Sequence, residues 1–391
     1  MAAETDTLRV NPIILVAGGT GGHVFPAQAL AAELQGRNCT LAFFTDRRGA
    51  AWGDELTGVD YHHIRAGQVT TGGLIARARG SLALGFGLLK ARRLLRELKP
   101  NVVVGFGSYA SVPAMIAATR LGIPTLIHEQ NALLGRANRL LAPHVSAIAT
   151  SFPHVAGIEP EDEDKVRLTG NPVRQSVRAL AEKPYPTLTS SGPIHLLVLG
   201  GSQGATVFSE VIPETLSRLT KEMRGRLKIS QQCRPEDIDK VSAAYERLRL
   251  KAELATFFDD VPERISEAHC VISRAGASTT AELTVAGRPA ILVPYPHAAG
   301  DHQTLNARAV EAAGAALVMP EANFTPQTLS ARLKLLLSNP LDLDRMAERA
   351  SRFGRVDAAA TLADLVIALC PINGRETPAP DPGRSGREAA A

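Results

Sequence analysis

Short apolar runs, each followed at once by a glycine turn and then by a helix-like segment, recur along this chain. Ile13 to Ala17 is the first, followed by GGTGGH (Gly18 to His23) and a helical segment with Pro26 expected in its first turn and Gly36 as its stop. Thr40 to Thr45 is the next run, after which the chain to Gln68 reads as irregular. Val102 to Val104 leads into GFGSYAS (Gly105 to Ser111), a helix over Val112 to Leu121, and GIPTLIHEQNA (Gly122 to Ala132), a strand that ends in polar residues. The pattern restarts with His195 to Leu199 and GGSQGA (Gly200 to Ala205), whose following helix Pro213 is expected to kink or split. Cys270 to Ser273, AGASTT and a helix closed by Gly287 come next, and GRPAILVPYP repeats the Gly-x-Pro strand. Continuous apolar runs of strand length alternating with helices are what parallel strands buried on both faces require.

The two halves share an order. Glycine loops at Gly18 and Gly200, second turns at Gly105 and Ala275, and Gly-x-Pro strands at Gly122 and Gly287 stand 182, 170 and 165 residues apart. Two similar αβ domains facing one another across a cleft follow, and 391 residues suffice for two cores. The tract from Glu182 to Gly192, with its prolines and hydroxyl residues, is the linker. Leu341 to Leu369 is helical in pattern, and the Pro-, Gly- and Arg-rich tail 372–391 is expected to be disordered.

Each glycine turn brings backbone N–H groups to the carboxyl edge of a sheet, which makes an anion site, most often for phosphate. The stretch from Gly200 to Gln303 contains two such turns and adds polar side chains, so it reads as a nucleotide-diphosphate pocket. Its spacing is not GxGxxG: Val24 stands where the first loop would need its third glycine, and Gly201 and Gly204 do not fit either. Asp46 could imitate a ribose-binding acid, but the second half has no counterpart, and a nicotinamide enzyme is disfavoured. Asp-x-Asp pairs at Asp162/Asp164, Asp237/Asp239 and Asp342/Asp344 lie away from strand ends, so neither a metal nor a cofactor is expected. Neutralising a diphosphate then falls to helix N-termini and to the hydroxyls of Ser202, Ser278, Thr279 and Thr280. His23, directly after the first loop, is the candidate general base, because imidazole titrates near neutrality. His128 and Glu129, ending a strand on the same edge, are the alternatives.

Charge and composition narrow the partners. A net charge of +4 with 4% aromatics lacks the basic residues interleaved with stacking platforms that nucleic-acid binders need. The four cysteines (Cys39, Cys233, Cys270, Cys370) are far apart, as free thiols in a reducing cytosol would be. No run of about 18 apolar residues occurs and no basic segment precedes an apolar one at the start, so a cytosolic protein that does not span a membrane is expected. Leu74 to Lys99 stands out. It reads as a helix interrupted or bent near Gly85 and Gly87, with apolar stripes at Leu82, Phe86, Leu89 and at Leu84, Leu88, Leu95. Eight basic residues between Arg65 and Lys99 meet one acid, Glu97. A core helix with a solvated basic face and a membrane contact built from Arg77, Arg79, Lys90, Arg92, Arg93, Ile75, Leu82 and Phe86 both fit.

GGTGGHVFPA, GFGSYASVP, HEQNALLGRAN, GNPVR, GGSQGA, AGASTTAE and DHQTLNA, in this order over about residues 10 to 370, resemble the peptidoglycan N-acetylglucosaminyltransferases of glycosyltransferase family 28. The resemblance implies an α/β protein of the GT-B fold, two Rossmann-like αβ domains with parallel sheets facing across a cleft. An acceptor and membrane-side domain would span 1–173, joined by a C-terminal helix at about 355–371, and a UDP-sugar domain would span 174–354. The implied reaction is inverting transfer of N-acetylglucosamine from UDP-N-acetylglucosamine to the 4-hydroxyl of the muramoyl sugar of undecaprenyl-pyrophosphoryl-MurNAc-pentapeptide (lipid I), giving lipid II. The implied place is peripheral, on anionic lipid at the cytoplasmic face of the bacterial inner membrane, where other cell-wall synthesis proteins are conceivable partners. Carried over position by position, the family's donor contacts fall on Thr20, Gly21, Gly22, Asn131, Arg174, Ser202, the backbone around Phe258, Ala277, Ser278, Thr279, Thr280, Ala281, Glu282 and Gln303. Glu282 would hold the ribose hydroxyls, Ser202 and the turn at Gly276 the phosphates, and Gln303 the sugar or ribose. A UDP-sugar epimerase, or another GT-B transferase with a lipid acceptor, would share the architecture. An epimerase has no use for the basic apolar helix.

Overall fold

The first half of the chain folds into β1 (Ile13–Val16), α1 (Gly21–Gly36), β2 (Leu41–Thr45), β3 (Asp60–His63), α2 (Leu74–Leu98), β4 (Val102–Gly105), α3 (Ser108–Arg120), β5 (Thr125–Glu129), α4 (Arg136–Leu141), β6 (Ala147–Thr150) and β7 (Val166–Leu168). After α5 (Gln175–Arg178) come β8 (Ile194–Leu199), α6 (Thr206–Ser217), α7 (Lys221–Arg226), β9 (Leu227–Gln232), α8 (Ile238–Arg247), β10 (Lys251–Ala255), α9 (Val261–Glu267), β11 (Cys270–Ser273) and α10 (Ala277–Val285). The chain closes with β12 (Ala290–Leu292), α11 (His302–Ala312), β13 (Ala316–Val318), α12 (Pro326–Ser338), α13 (Pro340–Phe353) and α14 (Ala358–Ala368). The computed structural model describes residues 11–46, 56–64, 74–189, 191–201 and 204–371, with side chains in α2 from Ala83 onward.

Two parallel sheets result, with strand orders β3-β2-β1-β4-β5-β6-β7 and β10-β9-β8-β11-β12-β13. Apart from β7, the orders are the same, which is the structural content of the repeated motif order in the sequence. Alternation within each buried strand fills both faces. Ile13 and Leu15 of β1 meet α1 and α14, whereas Ile14 and Val16 meet α2 and α3. In the second sheet Leu196 and Val198 of β8 face α6, α8 and α12, while Leu197 and Leu199 face α9, α10 and α11. Strand order reverses between β1 and β4 and again between β8 and β11, and at such switch points the carboxyl ends open a crevice for a ligand.

Several expectations change. α1 begins at Gly21, so Pro26 lies inside it rather than in its first turn, and the carbonyl of Gly22 has no N–H four residues on. The stretch before Gln68 is not wholly irregular, because DYHH forms β3, an edge strand too polar to show as an apolar run. α2 continues through Gly85 and Gly87: Ala91 and Leu95 are buried with Leu88, Leu94 and Leu98 packed beside them, and this packing outweighs the glycines' weak helix propensity. α6 runs past Pro213 as one helix. The single helical tract expected to Leu369 is two helices broken at Gly354, where a Cβ would stand 2.5 Å from the backbone of Thr284. From that break the chain returns to the first domain, and α14 packs against α1 with Arg37 bonded to Asp364. The tail 372–391 lies outside the described residues.

Candidate active site

At the first switch point, Gly18 and Gly19 follow β1, and Phe106, Gly107 and Ser108 follow β4. Crowding explains the glycines: a Cβ on Gly18 would stand 2.7 Å from both Ala110 Cβ and Asp46 Oδ1. Asp46 is a loop support rather than a ribose acid, since it accepts the N–H of Gly19 at 3.0 Å. His23 stands in the first turns of α1, half-buried, with Nδ1 2.8 Å from the carbonyl oxygen of Phe106. A carbonyl oxygen only accepts, so Nδ1 carries the proton and Nε2 keeps its lone pair. Nδ1 also lies 3.1 Å from Gln130 Oε1.

The two alternative bases are placed differently. Glu129 is 2% exposed, and its carboxylate accepts from the Asn131 N–H and side chain, the Gly135 N–H and Asn138 Nδ2 at 2.8–3.2 Å. It folds the loop after β5. His128 is fully buried, and burial pushes its pKa down to about 4, so it stays neutral.

Across the cleft, the first turn of α10 offers the N–H groups of Ala277, Ser278 and Thr279, which no intrahelical carbonyl takes. Among the described residues, Ser278 Oγ is buried without a hydrogen-bond partner. It faces the first glycine loop: a Cβ on Gly22 would stand 4.0 Å from it and 3.8 Å from Thr20 Oγ1. The structure therefore brings Thr20, Gly21 and Gly22 together with the N-terminus of α10. Glu282 Oε1 receives Arg174 Nη2 at 3.1 Å and Nε at 3.3 Å, and Arg174 lies over the ring of Phe25. Burial raises the Glu282 pKa, which the arginine counteracts. Gln303 Oε1 accepts from Ala275 N at 3.2 Å and Tyr295 N at 2.9 Å, so this side chain holds the turn before α10. Thr280 does not offer its hydroxyl to the cleft, because it donates back to Gly276 and Ala277 within the helix. Ala277 and Ala281 line a small cavity behind α10 with Asn171 and Thr284. Phe258 buries its ring beneath the Arg264 guanidinium, 4.0 Å from the ring centre. Ser202 lies outside the described residues.

Some residues that shape this site escape sequence reasoning. Asn306, fully buried in α11, accepts the N–H of Ala132 at 2.8 Å and donates to Asn131 Oδ1 and the carbonyl of Ala275 at 3.1 Å, tying the two domains together. Gln232 accepts from Gly200 N and donates to the Thr256 carbonyl, both at 3.2 Å, linking the second glycine loop to the loop that carries Phe258. The only signal was polarity inside otherwise apolar surroundings, which does not say where a partner comes from.

Paired parallel-sheet domains, each aiming a helix N-terminus into a common cleft, are the architecture of the GT-B glycosyltransferases. Sequence comparison narrows this class. Residues 13–150 match the glycosyltransferase family 28 N-terminal domain and residues 195–362 the family 28 C-terminal domain, and the chain belongs to this family. It is 54% identical, over 92% of its length and 97% of the relative's, to the UDP-N-acetylglucosamine–N-acetylmuramyl-(pentapeptide) pyrophosphoryl-undecaprenol N-acetylglucosamine transferase of Paramagnetospirillum magneticum. Identity to the protein of the same name from Rhodospirillum centenum is 52% over 95% and 98% of the two chains. The crystal structure of Acinetobacter baumannii MurG superposes with a TM-score of 0.75 at 28% identity, covering 91% of this chain and 99% of that one. A Neisseria meningitidis UDP-GlcNAc 2-epimerase bound to UDP-GlcNAc reaches 0.62 at 15% identity, covering 91% and 100%, a likeness of fold alone.

Proposed function

We propose that this chain transfers N-acetylglucosamine from UDP-N-acetylglucosamine to the 4-hydroxyl of the muramoyl sugar of lipid I, with inversion, giving lipid II for peptidoglycan synthesis. The observation that carries the mechanism is the Phe106 carbonyl oxygen on His23 Nδ1, which leaves Nε2 as the basic atom. The acceptor hydroxyl attacks the anomeric carbon on the face opposite UDP, and Nε2 takes its proton. Charge developing on the departing diphosphate meets the N–H groups opening α1 and α10 and the Ser278 hydroxyl. Glu282 Oε1 holds Arg174, and Oε2 is the atom offered to the ribose. Residues 1–173, completed by α14, form the acceptor side, and residues 174–354 the donor side.

The acceptor's lipid keeps the reaction at a membrane surface, where this protein sits peripherally on the cytoplasmic face of the inner membrane. No helix among the described residues is long and apolar enough to cross a membrane. Support for attachment comes from α2, where Phe86 and Leu89 are each 64% exposed beside Lys90, Arg92 and Arg93. The side chains of Ile75, Arg77, Arg79 and Leu82 lie outside the described residues.

UDP release from UDP-N-acetylglucosamine, followed with and without added lipid I, tests this reading. The account expects release only with the acceptor, in step with formation of the disaccharide. Release at the same rate without it, or epimerised donor in its place, contradicts transfer.

A further inference from the structure

We propose that Gln130 is a positioning residue that, with His128 behind it, fixes the tautomer and ring orientation of His23. The inference rests on the reading of His23 as the base. It starts from two carbonyl oxygens whose role is unambiguous. His128 Nε2 lies 3.0 Å from the carbonyl of Gly170, so it is the protonated nitrogen, and Nδ1 of the same ring is an acceptor. Gln130 Nε2 stands 3.0 Å from that Nδ1 and 3.1 Å from the carbonyls of Phe106 and His128, three acceptors that share the two hydrogens of an NH₂ group and would repel an amide oxygen. The amide is thereby turned so that Oε1 points the other way, to His23 Nδ1 at 3.1 Å. At the far end the Phe106 carbonyl independently demands a proton on Nδ1 of His23. The chain of bonds from Gly170 to His23 therefore has one consistent proton arrangement, and Nε2 of His23 is its open end.

Gln130 is 1% exposed and His128 is fully buried, so neither orientation is averaged by solvent. When Nε2 takes a proton, the Nδ1–H becomes a stronger donor, and Oε1 and the Phe106 carbonyl both stabilise the imidazolium. Charged groups on neighbouring elements are bonded elsewhere: Asp46 to the Gly19 N–H, Glu129 within its loop, and Glu282 to Arg174. Gly107 lies close beside the ring, since a Cβ there would be in ordinary contact, 3.5 Å, with His23 Nδ1 and Cε1.

The test is the pH profile of turnover for Gln130→Met and Gln130→Leu in the full chain, with donor KM measured alongside. Both variants take away the Oε1 that accepts from the Nδ1–H and stabilises the imidazolium, so the acid limb of kcat should move to lower pH. The Leu variant should lose roughly 10- to 100-fold in kcat with donor KM within about twofold. A Met variant whose profile overlays the parent's overturns the proposal, as does a Leu variant that alters only donor KM. Should His23→Ala itself leave turnover intact, it is the base assignment that fails.

Discussion

Burial separates the two histidines of the first domain into different tasks. His23 keeps one edge in the cleft, whereas His128, pushed down to about 4 by burial, cannot ionise while the chain is folded at neutral pH. Unfolded, the same imidazole takes a proton near pH 6.5. Between those values the unfolded chain binds more protons, so stability falls as pH drops from about 6.5 to about 4, by up to about 1.4 kcal/mol per pH unit for this group, and flattens below. His269, also brought to about 4 by burial, acts in the same window. Denaturant unfolding at pH 7 and pH 5 should show this loss, and His128→Gln should lessen it; an unaltered pH dependence in that variant would count against the assignment. Glu282 belongs to the same scale. Glu282→Ala removes a charged acceptor and should weaken UDP-N-acetylglucosamine binding by about 1–3 kcal/mol. Calorimetry showing unchanged UDP affinity would take this residue out of the donor site.

Helix ends and helix faces hold the next level of meaning. α1 and α10 present unpaired N–H groups to the cleft because their first turns are built from Gly21 and Gly22 on one side and from Ala277, Ser278 and Thr279 after Gly276 on the other, residues small enough for close approach. α2 divides its apolar residues: Leu95 is buried while Phe86 and Leu89 are exposed, so the two stripes seen in the sequence serve two different surfaces. Arg93 is paired with Glu97 on the same helix, which leaves Lys90, Arg92 and Arg96 as its less committed basic groups in the described part. Each basic residue near anionic lipid contributes about 1 kcal/mol, so vesicle binding should fall steeply with salt. Charge reversal at Arg77, Arg79 and Arg92 should abolish sedimentation with anionic vesicles and leave UDP affinity unchanged. A reversed variant that sediments like the parent would make this face merely solvated.

At the scale of the molecule, the repeated strand, glycine turn and helix was legible because central parallel strands are buried on both faces and leave an apolar run in the sequence. The edge strand β3, with its exposed and half-exposed DYHH, left none. Neither did the return of the chain at Gly354, which depends on a backbone 70 residues earlier in the sequence. Glycine loops announced the cleft, but Asn306, Gln232 and Gln130 act through partners far off in the chain, and a single sequence carries no trace of such pairings. In the proposed mechanism, what the two domains accomplish together rests on His23, whose Nδ1 meets the Phe106 carbonyl. The most direct test is kcat and UDP affinity measured side by side for His23→Ala. The account predicts turnover lower by roughly two to four orders of magnitude with UDP affinity within a few-fold, because a base acts on the acceptor proton only during reaction. Turnover that survives within a few-fold of the parent would contradict it.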